Sequence, residues 1–139
     1  MRSLKEHYSD ATDKWEALQT SSTPVLYVGA ATCGRAAGAG DVIKRLQAEI
    51  RGKRLDAKVV EVGCLGLCCF EPLVVVHKPG FPQVCYGGVN PDKIVSILEK
   101  HVLGNDPCAK WALGTITPGK LDGIDKFSDH PMMTGQIRH

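Results

Sequence analysis

Leu4, Tyr8, Ala11, Trp15 and Leu18 recur at the spacing that lines one face of a helix and predict an amphipathic helix over 3–19. Ser21-Ser22-Thr23-Pro24 interrupts the pattern. Four apolar runs then read as strands: Val25 to Val28, Lys58 to Val62, Leu73 to His77, and Gln83 to Tyr86. Lys78 to Pro82 turns the chain between the last two. Residues 34–40, small and glycine-rich, read as a flexible loop. Val42, Ile43, Leu46 and Ile50 form the apolar face of a helix that Asp41 caps or enters. Asn90 and Pro91 suit the start of a last helix, which carries Ile94, Val95, Ile97, Leu98 and Val102 and stops at Gly104. The order is β-α-β-β-β-α, an α/β chain. The expected divisions are an N-terminal helix (1–23), a folded domain (24–104) and an extended tail (105–139), the last rich in Gly, Pro and Asp.

The chain of 139 residues, 43% hydrophobic, suits one domain with extensions. No apolar run approaches the ~20 residues of a membrane span. The polar N-terminus has no signal-peptide core, so a cytoplasmic location is expected. A net charge of +2 without a clustered basic face gives no sign of nucleic-acid binding.

Six cysteines in such a chain read as metal ligands or free thiols rather than disulfides. Cys64 and Cys68 lie in a glycine-containing loop before the run Leu73 to Val76; Cys33 follows the first strand. If the two strands are neighbours, their loops leave the same sheet edge and the thiols converge. Such thiols could hold iron or zinc. Thiol–disulfide exchange of the thioredoxin kind needs Cys-x-x-Cys at a helix N-terminus, and this pair is spaced by three and precedes a strand. His7, His101, His130 and His139 are scattered, without paired metal-ligand spacing. Glu71-Pro72 reads as a structural turn.

Taken together, Val28 to Ala39, Val62 to Cys68, Glu71 to Val74 and Tyr86 to Asp92 resemble the thioredoxin-like [2Fe-2S] ferredoxin module. More narrowly, they resemble the copy at the N-terminus of flavin- and NADH-binding subunits related to complex I. Such subunits occur in NAD-linked hydrogenases, formate dehydrogenases and electron-bifurcating complexes. Phe127 to Gln136 resembles the beginning of their flavin domain. The resemblance implies a thioredoxin-like fold, with a right-handed parallel crossover and an antiparallel hairpin. It also implies a [2Fe-2S] electron-transfer subunit or domain rather than a stand-alone catalyst. Its partners would be a flavin/NADH-binding subunit and other iron–sulfur subunits, with FMN and NAD(P) carried only by the parent complex. Of the family's four ligands, the last three fall on Cys33, Cys64 and Cys68. The first falls near Val28, where no cysteine stands. Cys69, Cys85, Cys108 and His77 remain as sources of a fourth ligand, and Cys85 is the most reachable. The alternative is a cluster-free module for docking or assembly.

Overall fold

The computed structural model describes residues 2–135. Helix α1, Leu4–Gln19, begins with a capping box: the Ser3 side chain accepts from the Glu6 N–H, and the Glu6 carboxylate answers the Ser3 N–H. No residue of α1 is buried. Its C-terminal end alone meets the body. Trp15 lies 6.1 Å from the Tyr27 ring, Leu18 packs at the edge of the core, and Gln19 bonds Tyr27 and Gln83.

One mixed sheet follows, in the order β2-β1-β3-β4-β5. Strand β1, Val25–Gly29, pairs in parallel with β2, Lys58–Val62, so that Gly29 faces Val62. The crossover between them carries α2, Thr32–Ala36, and α3, Ala39–Gly52. Strand β3, Val74–His77, runs antiparallel to β1, and β4, Val84–Tyr86, antiparallel to β3. Helix α4, Pro91–Ile97, opens on the Asn90 cap and continues as a π-helical turn over Leu98–Leu103.

Side chains alternate across the sheet, as the two-residue strand period requires. Leu26, Val28, Val74, Val76, Val84 and Tyr86 face the helices, which bury Val42, Ile43, Leu46, Ile94, Ile97 and Leu98 against them. Val25, Tyr27, Val75 and Cys85 face the other way and meet Leu67, Leu73 and Met133. The π-helical turn brings His101 wholly inside the helix-side layer. The Tyr86 hydroxyl donates to the Pro107 carbonyl at 2.6 Å. With its one hydrogen so used, it accepts from His101 Nδ1 at 2.8 Å. His101 Nε2 is then buried without a partner among the described residues, and burial drives the imidazole's pKa down to about 4.

Two expectations are corrected. Of residues 34–40, expected as a flexible loop, 34–36 lie in the helical turn α2 and 39–40 open α3. Gly34 permits the turn, since a Cβ there would come within 2.2 Å of the Gly29 carbonyl oxygen. The second concerns the division at 104, which does not mark the end of the sheet. Beyond it, Ala112–Thr115 forms β5 against β4, and Cys108, Ile124 and Met133 enter the two core layers. The last helix among the described residues is α5, Pro131–Thr134. No described helix is long and apolar enough to cross a membrane.

Candidate metal centre

The parallel pairing of β1 and β2 sends both strands out at one edge of the sheet. Cys33 follows β1 in the first turn of α2; Cys64 and Cys68 follow β2. The Ala30 N–H bonds the Val62 carbonyl, and the Gly29 N–H bonds the Leu73 carbonyl. The roots of the two loops are therefore fixed to each other. Arg35 on α2 also meets Glu61 of β2 at 2.6 Å, an exposed pair that contributes little energy but spans the same two elements.

Within the second loop, Gly66 takes a positive φ of 83°, a conformation natural to glycine, and folds the chain back on itself. Its N–H points at Cys64 Sγ at 3.2 Å. The sulfurs of Cys64 and Cys68 lie 3.7 Å apart, and both residues are exposed. Two thiolates on one tetrahedral metal, with bonds of about 2.3 Å, stand about 3.8 Å apart along the tetrahedron's edge. The pair is thus already spaced to share one metal ion. Cys68–Phe70 forms a short 3-10 turn. The Gly88 and Val89 N–H groups hold the following segment through the carbonyls of Phe70 and Pro72. His130 from the C-terminal segment packs edge-on against Phe70 at 5.3 Å.

Cys33 is exposed on the neighbouring loop. Among the described residues, no three Cys, His, Asp or Glu side chains are gathered closely enough to hold a metal as the chain stands. Of the three thiols expected to converge, the structure brings Cys64 and Cys68 together, while Cys33 stands on the adjoining loop at the same edge.

The structure sets three of the four fourth-ligand candidates away from the cysteine loops, and Cys85 is a correction. It sits in β4 opposite Val75, wholly buried among the apolar residues of the non-helical face. Burial, with a contribution from the Glu71 charge, pushes its thiol up to about 12, so it keeps its proton. Strand alternation explains the placement: a residue across the hairpin is near in sequence register but turned into the core. Cys108 is buried in the helix-side layer, and burial raises its pKa too. His77 pairs with Val25, at the end of the sheet away from the cysteine loops. Cys69 is exposed beside Cys68.

Sequence reading passed over Glu71 as part of a turn. The structure shows a carboxylate only 9% exposed, three positions after Cys68 and followed by a cis bond to Pro72. Oε2 accepts from the Leu73 N–H at 2.8 Å. Oε1 is buried and has no partner among the described residues. The available signal was a charged residue set between the cysteine loop and a fully apolar strand.

In kind, this donor set fits an iron–sulfur cluster: three accessible thiols at one sheet edge, two of them at metal-sharing distance, and an orphaned buried oxygen on the residue that follows the Cys68–Phe70 turn.

No protein-family model matches the chain. It is similar to a curated "Ferredoxin, 2Fe-2S" of Aquifex aeolicus, 35% identical over 66 residues, covering 48% of this chain and 54% of the relative. It is similar to the NADP-reducing hydrogenase subunit HndB of Solidesulfovibrio fructosivorans, 27% identical over 84 residues, covering 60% and 67%. A 2Fe-2S ferredoxin of Clostridium pasteurianum is 31% identical over 64 residues, covering 45% and 60%. The matches thus span between about half and two thirds of these relatives. Among solved structures, the wild-type thioredoxin-like [2Fe-2S] ferredoxin of Aquifex aeolicus superposes with a TM-score of 0.60 at 23% identity, over 68% of this chain and 100% of that one. A further structure of a thioredoxin-like ferredoxin from the same organism gives 0.60 at 21%, over 73% and 99%. The chain has the thioredoxin-like ferredoxin fold, and its sequence resembles both 2Fe-2S ferredoxins and a hydrogenase subunit.

Proposed function

We propose that this chain is an electron-transfer module carrying a [2Fe-2S] cluster within a multisubunit NAD(P)-linked oxidoreductase. The single observation that carries the reading is the 3.7 Å separation of Cys64 and Cys68 Sγ at the edge where Cys33 also emerges. The similarity to 2Fe-2S ferredoxins and a hydrogenase subunit supports it. Bound there, the cluster would supply a one-electron couple.

The chain's own residues do the rest. Cys33, Cys64 and Cys68 bind as thiolates. The Gly66 N–H directed at Cys64 Sγ stabilises negative charge on that sulfur, one of the means by which a protein sets such a potential. The thiols are exposed, so a partner's carrier can approach this edge directly. That partner is a flavin-bearing subunit in the cytoplasm, and FMN and NAD(P) belong to it and not to this chain.

Iron and acid-labile sulfide analysis of anaerobically reconstituted protein tests the reading, with EPR after dithionite reduction. Two irons and two sulfides per chain are expected, with a rhombic or axial signal from the reduced cluster. Cys64→Ser and Cys68→Ser should each weaken or abolish the visible absorbance, because a serine hydroxyl, unlike a thiol, keeps its proton and ligates iron weakly. Unchanged absorbance in both would overturn the assignment.

One observation favours a second reading, a cluster-free docking module. Leu4, Tyr8 and Trp15 stand exposed along α1 at 86%, 74% and 55%, more apolar surface than one helix needs. A wild-type chain that remains colourless after reconstitution would select that reading.

A further inference from the structure

The geometry points to Glu71 as the fourth protein ligand of the cluster, sharing with Cys33 the iron that Cys64 and Cys68 do not hold. This inference rests on the [2Fe-2S] reading above and names a residue that the cysteine pattern leaves out.

Three observations converge on it. The first is burial. Glu71 is nine-tenths buried, and no Lys or Arg forms an ion pair with it among the described residues. One oxygen is used by the Leu73 N–H and the other is orphaned. A buried polar atom without a partner is costly, and natural structures seldom leave one without a reason.

The second is direction. Glu71 stems from the Cys64–Cys68 loop, yet its carboxylate lies against the Cys33 loop. A Cβ added to Gly29 would come within 3.0 Å of Oε2 and 3.2 Å of Oε1; one added to Gly34 would come within 3.2 Å of Oε2. Gly29 ends β1 and Gly34 follows Cys33. Gly29 leaves the room that the carboxylate fills, so that Oε2 also stands near Gly34, the residue after Cys33, and the orphaned Oε1 lies at the root of that loop.

The third is the donor count. A [2Fe-2S] cluster takes two protein ligands on each iron. Cys64 and Cys68 form one pair by their spacing. Cys33 needs a companion, and Cys85 is closed within the sheet core. Carboxylate oxygen is an accepted ligand of iron, so Glu71 can complete the second pair.

The test uses the full chain, reconstituted anaerobically with ferrous iron and sulfide, as wild type and as Glu71→Gln, Glu71→Cys and Cys85→Ala. Iron content, Mössbauer spectra and EPR of the reduced protein are compared, together with the rate of cluster loss to a chelator. Circular dichroism of each apoprotein reports folding separately. In the wild type, the two irons should be inequivalent by Mössbauer spectroscopy, as unlike ligand pairs require. Glu71→Cys should keep two irons, make their Mössbauer parameters nearly alike and move the EPR g values. Glu71→Gln should lose its cluster about tenfold faster or more, a loss on the scale seen when metal-site partners are removed. Cys85→Ala should match the wild type in all of these.

A wild-type cluster with Glu71→Gln and Glu71→Cys spectroscopically identical to it would overturn the ligand assignment and leave the electron-transfer reading standing. Loss of the cluster in a folded Cys85→Ala protein, with Glu71→Gln unaffected, would overturn it in favour of Cys85. A wild-type chain that takes up no iron and sulfide would overturn both. Should Glu71→Gln fail to fold, the Glu71→Cys spectra decide alone.

Discussion

His101 shows what a single buried side chain does to the whole chain's response to acid. Its folded pKa, about 4, lies below the ordinary value of 6.5. The unfolded chain therefore binds a proton that the folded one refuses across that interval, and stability falls as pH drops from about 6.5 to 4. The loss is on the order of 3 kcal/mol at about 1.4 kcal/mol per pH unit. Denaturant melts of the apoprotein at pH 7, 5.5 and 4.5 should show the slope, and His101→Gln should flatten it. A second residue-level outcome concerns Gly34. A Cβ 2.2 Å from the Gly29 carbonyl oxygen cannot be absorbed by a flexible side chain. Gly34→Ala should cost about 1–3 kcal/mol or more in denaturant unfolding. Neither residue declared itself in the sequence. The importance of His101 depends on a π-helical turn, and that of Gly34 on a backbone approach set by the sheet. Cys64 and Cys68 were legible because their geometry is local: four positions and one glycine determine it. Glu71 was not, because its neighbours Gly29 and Gly34 lie far back in the sequence.

Among elements, those with strong periodicity were legible. Strands β1 to β4 and helices α1, α3 and α4 follow their apolar spacing and, at Asn90-Pro91, their start signal. Strand β5 was hidden because Ala112-Leu113-Gly114-Thr115 has neither alternation nor β-branched residues beyond Thr115. It is a strand because the edge of β4 supplies hydrogen-bonding partners, a case of tertiary context overriding propensity. Amides of 112–115 should then be protected from exchange in the isolated chain. Truncation after Gly104 should abolish cooperative unfolding, since it uncovers β4 and removes Cys108, Ile124 and Met133 from the core. Helix α1 predicts the opposite. Leu4→Ser and Tyr8→Ser should leave the melting temperature of the isolated chain unchanged, because both side chains are exposed. Trp15→Ala should cost about 1 kcal/mol, the scale of one aromatic contact.

At the scale of the molecule, the two core layers are closed by leucine, valine, isoleucine and tyrosine, and none of Cys33, Cys64 or Cys68 belongs to either. The apoprotein should accordingly unfold cooperatively, and Cys64→Ser should not change its midpoint by more than the ±0.5 kcal/mol or so usual for surface substitutions. The parallel pairing of β1 with β2 then orders events in time. Cys64 and Cys68 are neighbours from the moment their loop exists, whereas Cys33 comes to the same sheet edge only after the whole crossover has wound and the strands have docked. Before that moment an arriving iron would find a two-thiol claw; after it, the same claw with a third thiol on the adjoining loop. For the cluster proposed above, biogenesis would then have one sensible direction, fold and then fill. A delivery machine that hands over a finished cluster would have to recognise the folded sheet edge, because no nascent chain displays it.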